Sequence, residues 1–246
     1  MDDVLAIVLA AGRGERMRSP LPKVLVPVRG KAMIDYVIDA LQAAGVASIV
    51  VVVGFEGDKV RAHLEGRPHV QFAVQSQQLG TADAVRACTS HILRHQGPVL
   101  VVTGDSPTIR PATLQALVAE FRRRQTTCLL GTGYREHPQG LGRITRDERG
   151  EFSAIVEDRD ASDAQRAIRE VNLSYYVFEP RALAWALERI ENRNAQRQYY
   201  LTDAPGLLKA RGDRVVALPI LQGAETLSIN TPQELAEVEA ALEHQP

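Results

Sequence analysis

Cysteine is nearly absent. Cys88 and Cys128 are the two in 246 residues, and their spacing suits neither a metal site nor a disulfide framework. They read as small buried apolar groups in a reducing compartment. Charge of one sign is lacking too: 29 Lys and Arg stand against 30 Asp and Glu, for a net charge of −1. That balance excludes the broad basic face that nucleic-acid binding needs. No apolar run approaches the roughly 20 residues that span a bilayer. The start, "MDDVLAIVLAAG", opens on acids and its apolar stretch ends at a glycine loop, unlike a secretory signal. The expected setting is the cytoplasm, with no membrane or nucleic-acid partner. No internal repeat, low-complexity tract or long linker divides the chain.

What is present is an alternation. "VLAIVL" (4–9), "SIVVVVG" (48–54), "HVQFAVQ" (69–75) and "PVLVVTGD" (98–105) are β-type runs. Between them lie helical patterns: "AMIDYVIDALQAAG", with Ile34, Val37, Ile38 and Leu41 on one face, a helix over about 81–94, and "PATLQALVAEFRRR". Near-continuous apolar strands separated by helices predict a parallel sheet covered on both faces. After about residue 125 the rhythm changes. "TCLLGTGY", "GRITRD", "EFSAIVED" and "EVNLSYYVF" follow with few helices between them, then helices near 180–192 and 203–211, a strand near "RVVALPI" and a last helix. Thr231, Pro232 and Glu234 predict a capping box with Pro at the first helical position. The expected class is therefore α/β: a three-layer, Rossmann-like, mostly parallel mixed sheet with helices on both faces. We expect one domain over 1–246, with a nucleotide-binding half (1–125), a sugar-binding lobe (126–230) and a C-terminal helix (231–246).

The stretch "LAAGRGERMRSPLPK" (9–23) follows the first strand and carries Arg13, Arg16, Arg18 and Lys23 against Glu15, locally 4 − 1 = +3. Ligands of open parallel sheets bind beyond the carboxyl ends of the strands. Gly12 and Gly14 there allow positive φ, so that backbone N–H groups can face an anion, with Arg16 and Lys23 adding full charges. One cation about 4 Å from a phosphate contributes roughly 4 kcal/mol at an effective dielectric near 20. The loop is neither a Walker A motif, since Lys23 precedes Val24, nor a dinucleotide fingerprint, since Met17 takes the third glycine's place. His63, His91, His95 and His137 form no catalytic or zinc spacing.

The ordered set "LAAGRGERM…LPKVL", "VQSQQLGTADAV", "TGDSP", "GLGRIT", "IVEDRDASDAQR", "EVN", "QYYLTD" and "INTPQEL" resembles the sugar-phosphate nucleotidyltransferases. It is most similar to the uridylyltransferase domain of the bifunctional N-acetylglucosamine-1-phosphate enzymes. The resemblance covers nearly the whole chain. It implies UTP and a sugar-1-phosphate as substrates and Mg²⁺ as cofactor. It places Leu9, Ala11, Gly12, Gly14, Arg16, Lys23, Gln75, Gly80 and Thr81 around the nucleotide, Gln75 and the backbone at Gly80 and Thr81 facing the base. A Gln side chain donates and accepts at once, which suits the imide edge of uracil. The resemblance sets Gly142, Glu157, Asn172, Tyr200 and Thr202 around the sugar phosphate. It pairs Asp105 and Asn230 as ligands of a hard cation that takes one or two protein oxygens. Read alone, Asp105 is equally a turn-former before Ser106-Pro107, and Thr81 equally a helix N-cap.

The chemistry implied is in-line attack of an already anionic sugar phosphate on the α-phosphorus of UTP, with Arg16, Lys23 and Asp105 as the catalytic set and no general base. Three positions depart from the family pattern. Leu173-Ser174 follow Asn172 where Thr-Gly is usual, Thr103 stands where Tyr often does, and Glu15 replaces the loop Thr. Leu173 is expected to bear on which sugar fits. The acetyltransferase domain of the bifunctional enzymes is not expected in this chain, which has no hexapeptide repeat. A related nucleotidyltransferase with another sugar or base, and a non-catalytic nucleotide-sugar sensor, stay open as alternatives.

Overall fold

A computed structural model describes residues 1–243. The first strand, β1 (Leu5–Ala10), leads through a loop and a short ribbon, β2 (Pro27–Val28) and β3 (Lys31–Ala32), into α1 (Met33–Ala43). Then come β4 (Ser48–Val53), α2 (Gly57–His63), β5 (Val70–Val74), α3 (Thr81–Arg86), α4 (Thr89–Arg94), β6 (Val99–Thr103) and α5 (Pro111–Arg124). The second half runs β7 (Cys128–Tyr134), β8 (Gly142–Arg146), β9 (Phe152–Val156), α6 (Asp163–Arg166), β10 (Glu170–Phe178), α7 (Pro180–Arg189), α8 (Asp203–Arg211), β11 (Val215–Pro219) and α9 (Pro232–Glu243). Residues 244–246 of the expected last helix lie outside the described residues.

One nine-stranded sheet runs in the order β11-β7-β10-β6-β1-β4-β5, with β8 and β9 branching from β10. β6, β1, β4 and β5 are parallel, while β10 is antiparallel to both β6 and β7. The expected mixed, mostly parallel sheet is what forms. Strand alternation divides β1 between two cores: Ala6, Val8 and Ala10 face α1 and α5, whereas Leu5 and Ile7 face α3, α4, α7 and α8. Burial on both faces is why these runs carry almost no polar residue. A third cluster, built on Met17, Val28, Met33, Ile229 and Val238, seats α9 over the β2–β3 ribbon.

Two helical expectations need correction. The helix over 81–94 is two helices, because the Thr89 hydroxyl takes the Arg86 carbonyl at 2.7 Å and breaks the ladder at Ala87–Cys88. α2 is an addition that periodicity did not signal, since Val60 is its one buried side chain. α7 also stops at Arg189, short of 192.

Candidate active site

The strand order brings the carboxyl ends of β1, β4, β5 and β6 to one edge, where the glycine loop crosses. The Leu9 carbonyl accepts from Gly104 N–H (2.9 Å) and the Ala11 carbonyl from Phe55 N–H (3.1 Å), so the loop is pinned to both neighbouring strand ends. Of the two loop glycines, only Gly14 has positive φ, at 69°. The expectation for Gly12 is corrected: it lies outside that region, and a Cβ there would meet nothing within 4 Å. A Cβ on Gly14 would stand 2.6 Å from Lys23 Cβ. Gly14 therefore leaves room for the lysine stem to pass beneath the loop. Arg13 lies over the Phe55 ring at 5.0 Å, and Arg16 turns along the rim of a cavity.

Lys23, Asp105 and Asn230, separated by up to 207 residues in sequence, meet. The Lys23 ammonium donates to Asp105 Oδ2 and, at 2.8 Å, to Asn230 Oδ1. Asp105 follows β6, and Asn230 precedes α9. Burial would push the Asp105 carboxyl up, but the charge and hydrogen bond of Lys23 outweigh it, and the group is held below the usual range. Thr231 Oγ1 caps α9 by accepting from Glu234 N–H at 3.2 Å. The Glu234 carboxylate reaches the Asn230 N–H (2.7 Å) rather than that of Thr231, so the capping box is displaced by one residue. Asn230 keeps its side-chain oxygen on the same ammonium that Asp105 holds. Two hard oxygens meeting on one cation fit a hexacoordinate divalent ion that draws its remaining ligands from phosphate and water. Among the described residues, no group of three His, Cys, Asp or Glu is gathered to hold a metal.

The residues expected around the sugar divide between two cavities. Arg16, Asp105, Asn172, Leu173, Ser174 and Asn230 line one of about 220 Å³. Glu157, Tyr200 and Thr202 line a larger one of about 650 Å³, together with Asp160 and Asp203. Gly142 lies between the two sets, since a Cβ on it would be 3.6 Å from Asn172 Cβ and 3.8 Å from Glu157 Cδ. The Thr202 hydroxyl donates to Glu157 Oε1 at 2.8 Å. Burial raises the Glu157 pKa, and the charges of Asp160 and Asp158 add to it. Burial, then the charges of Glu157 and Asp160, push Asp203 up to about 6. Tyr200 accepts from Gln196 Nε2 at 2.7 Å.

On the other flank, Gln75 is buried and both its amide hydrogens are engaged, one by the Gly80 carbonyl (3.0 Å) and one by Asp83 Oδ2 (2.8 Å). The expectation of simultaneous donation and acceptance is corrected to acceptance alone, through Oε1. Gly80, at φ 121°, packs so closely that a Cβ would fall 2.4 Å from the Tyr199 carbonyl. Thr81 is not an N-cap; its hydroxyl accepts from Leu201 N–H at 2.9 Å and ties the segment to 199–201.

Sequence reasoning missed Arg143. It is 1% exposed on β8 and donates to the carbonyls of Leu141 and Arg166 and, at 2.8 Å, to Asp158. That clamps the segment following Glu157. Its signal was a cation one residue into the "GRITR" strand.

Residues 6–175 match the family model described as the MobA-like NTP transferase domain. Among curated relatives, the bifunctional protein GlmU of Brevibacillus brevis is 42% identical over 240 residues, covering 98% of this chain and 52% of its own length. GlmU of Pelotomaculum thermopropionicum shows the same identity and coverage. The chain thus spans about half the length of these relatives. Among solved structures, UDP-glucose pyrophosphorylase complexed with UDP-glucose superposes with a TM-score of 0.80 at 18% identity, covering 99% of both chains. The apo form of UDP-glucose pyrophosphorylase gives 0.78 at 16%, covering 98% of each. At such identities the likeness establishes the fold alone, which is shared with UDP-glucose pyrophosphorylase. With the match over 6–175, the chain belongs to the MobA-like NTP transferase family and is a nucleotidyltransferase.

Proposed function

We propose that the protein transfers the uridylyl group of UTP to a sugar-1-phosphate, N-acetylglucosamine-1-phosphate in first place, releasing pyrophosphate. The observation that carries this reading is the meeting of Lys23, Asp105 and Asn230 beneath the glycine loop at the edge of the sheet. The 42% identity to GlmU proteins supports the choice of substrates. Residues 1–125 would hold the nucleotide and 126–230 the sugar phosphate. The free, buried thiols of Cys88 and Cys128 suit the reducing cytoplasm as the setting.

In this reading Gln75 accepts from the base, and the loop from Leu9 to Gly14 runs along the polyphosphate. Arg16 neutralises the departing β,γ-phosphates. Lys23 steadies the charge that spreads over the α-phosphoryl oxygens. Asp105 and Asn230 hold Mg²⁺, which when bound neutralises and orients the phosphates. Asn172, Gly142, Glu157, Tyr200 and Thr202 orient the acceptor, whose phosphate is anionic near neutral pH and needs no base. Catalysis is positioning and electrostatic stabilisation.

Pyrophosphate release tests it, measured for several nucleoside triphosphates against a panel of sugar-1-phosphates, with and without Mg²⁺. Activity is expected with UTP and Mg²⁺. Lys23→Ala and Asp105→Ala should each lower kcat by at least about 10²-fold, the scale of one lost oxyanion donor. Near-wild-type turnover in either variant removes that residue from the machinery. Nucleotide affinity with no turnover across the panel selects the sensor instead. Leu173 and Ser174 line the cavity beside Asn172, so glucose-1-phosphate belongs in the panel. One methylene in a pocket changes preference by about 1–3 kcal/mol.

A further inference from the structure

Lys23 holds a position that its expected task does not account for. A lysine poised only for a phosphate would extend toward the rim, where Arg16 already stands. Instead its side chain is 13% exposed, and its ammonium bridges the two oxygens that are themselves the candidate ligands of the divalent ion. The stem is fixed by the loop above it, which needs a glycine at position 14 for lack of room. One positive charge already satisfies the Asp105 carboxylate and the Asn230 amide oxygen. A second cation on the same two oxygens would sit within a few ångströms of the first, and like charges at that range repel strongly.

We propose that the Lys23 ammonium and the divalent ion exchange at the Asp105–Asn230 pair: the lysine occupies it before substrates arrive and must leave before the metal enters. The proposal rests on the transfer reading for where the lysine goes. A triphosphate offers several anionic oxygens against the one carboxylate of the pair, and they draw Lys23 off it, so metal and nucleotide favour each other's binding by linkage. Lys23 is thus a positioning residue for Asp105 and Asn230 in the free protein as well as a phosphate contact. The metal-free pair is kept neutralised and in register, and a lone divalent ion binds poorly.

The test measures metal binding without any nucleotide. Lys23→Met keeps the stem and removes the charge, and Lys23→Gln is a second neutral variant. Binding of Mn²⁺, followed through the paramagnetic signal of the free ion, should be tighter than wild type by about tenfold or more in both, within the usual range for coupled sites. Lys23→Arg, which keeps a cation on the pair, should stay at the wild-type level. Adding Asp105→Asn to Lys23→Met should abolish the gain and so locate it. The melting temperatures of the neutral variants should rise with Mn²⁺ more than that of the wild type. Equal or weaker Mn²⁺ binding by both neutral variants, or no stabilisation of either by the ion, overturns the exchange. Pyrophosphate release by the wild type is a separate readout. Tight Mn²⁺ binding by the neutral variants alongside an inactive wild type keeps the exchange and removes the transfer; the reverse pattern removes the exchange alone.

Discussion

Tyr175 shows how a single side chain can be carried at a cost. Its ring packs in the core under α5, 2% exposed, and its hydroxyl is buried with no hydrogen-bond partner. Burial, with the nearby Glu225 charge, pushes the phenol well above its ordinary range. An unsatisfied buried donor costs about 1–3 kcal/mol, while the ring alone would keep the packing. Tyr175→Phe is therefore expected to raise stability by about 1 kcal/mol in urea melts at unchanged slope; a loss of that size would show that the hydroxyl is partnered. Arg143 is the opposite case, since its removal takes a donor from the Leu141 and Arg166 carbonyls and from Asp158. Arg143→Met is expected to destabilise by about 1–3 kcal/mol, the scale of lost donors to part-buried acceptors, because the Asp158 carboxylate left behind is partly solvated. In the proposed reaction the companion sign is a raised KM for the sugar phosphate, because the segment after Glu157 loses its clamp.

At the scale of elements, β10 is the most informative strand. It is antiparallel in a largely parallel neighbourhood, and its pairing with β7 slips between Asn172 and Tyr175. The slip is accommodated by Ser174 at φ 62°, with Asn172 Oδ1 accepting from the Ser174 N–H at 3.3 Å. Left-handed backbone costs a non-glycine residue roughly 1–2 kcal/mol, offset in part by the entropy that glycine adds to the unfolded chain. Ser174→Gly should accordingly stabilise by up to about 1 kcal/mol, read from the urea midpoint. A loss would mean that the serine side chain makes up for the strain. The family pattern marked position 174 as a departure, but only the bulge gives the reason. Elsewhere legibility followed burial. β1, β4 and β6 were plain because both faces are covered. The break at Cys88 was hidden because it depends on one hydroxyl of Thr89 choosing the Arg86 carbonyl. The commitment of Gln75 was hidden because Asp83, eight residues on, comes within reach only once α3 forms.

For the whole molecule, the near-zero net charge conceals an uneven distribution. Cations gather at the loop after β1, while Glu157, Asp160 and Asp203 share the larger cavity. The chemistry of one sheet edge was legible because its residues sit in contiguous motifs; of the larger cavity only Glu157, Tyr200 and Thr202 were marked, and Asp160 and Asp203 were not, because α8 and the segment after β9 converge on it only in three dimensions. Its consequence is a pH dependence whose sign is fixed. Burial first, then the charges of Glu157 and Asp160, raises Asp203 from 3.8 to about 6. Between those values the folded protein holds a proton there that the unfolded chain has released. Stability therefore falls as pH rises through that window and stays lowered above it. Asp203→Asn keeps the shape and removes the titration. Its melting temperature should match the wild type near about pH 4 and exceed it above about pH 6, flattening that part of the profile. Asp203 also opens α8, where a negative charge favours the helix dipole by about 0.3–1 kcal/mol. That contribution opposes the gain above pH 6, but it is smaller than a shift of about two pKa values, each near 1.4 kcal/mol before screening by solvent in an open cavity. An equal change at both ends of the pH range would assign the effect to packing rather than to charge. A gain confined to the high-pH side shows that the ionised Asp203 carboxylate is penalised in this cavity, by burial first and then by the charges of Glu157 and Asp160.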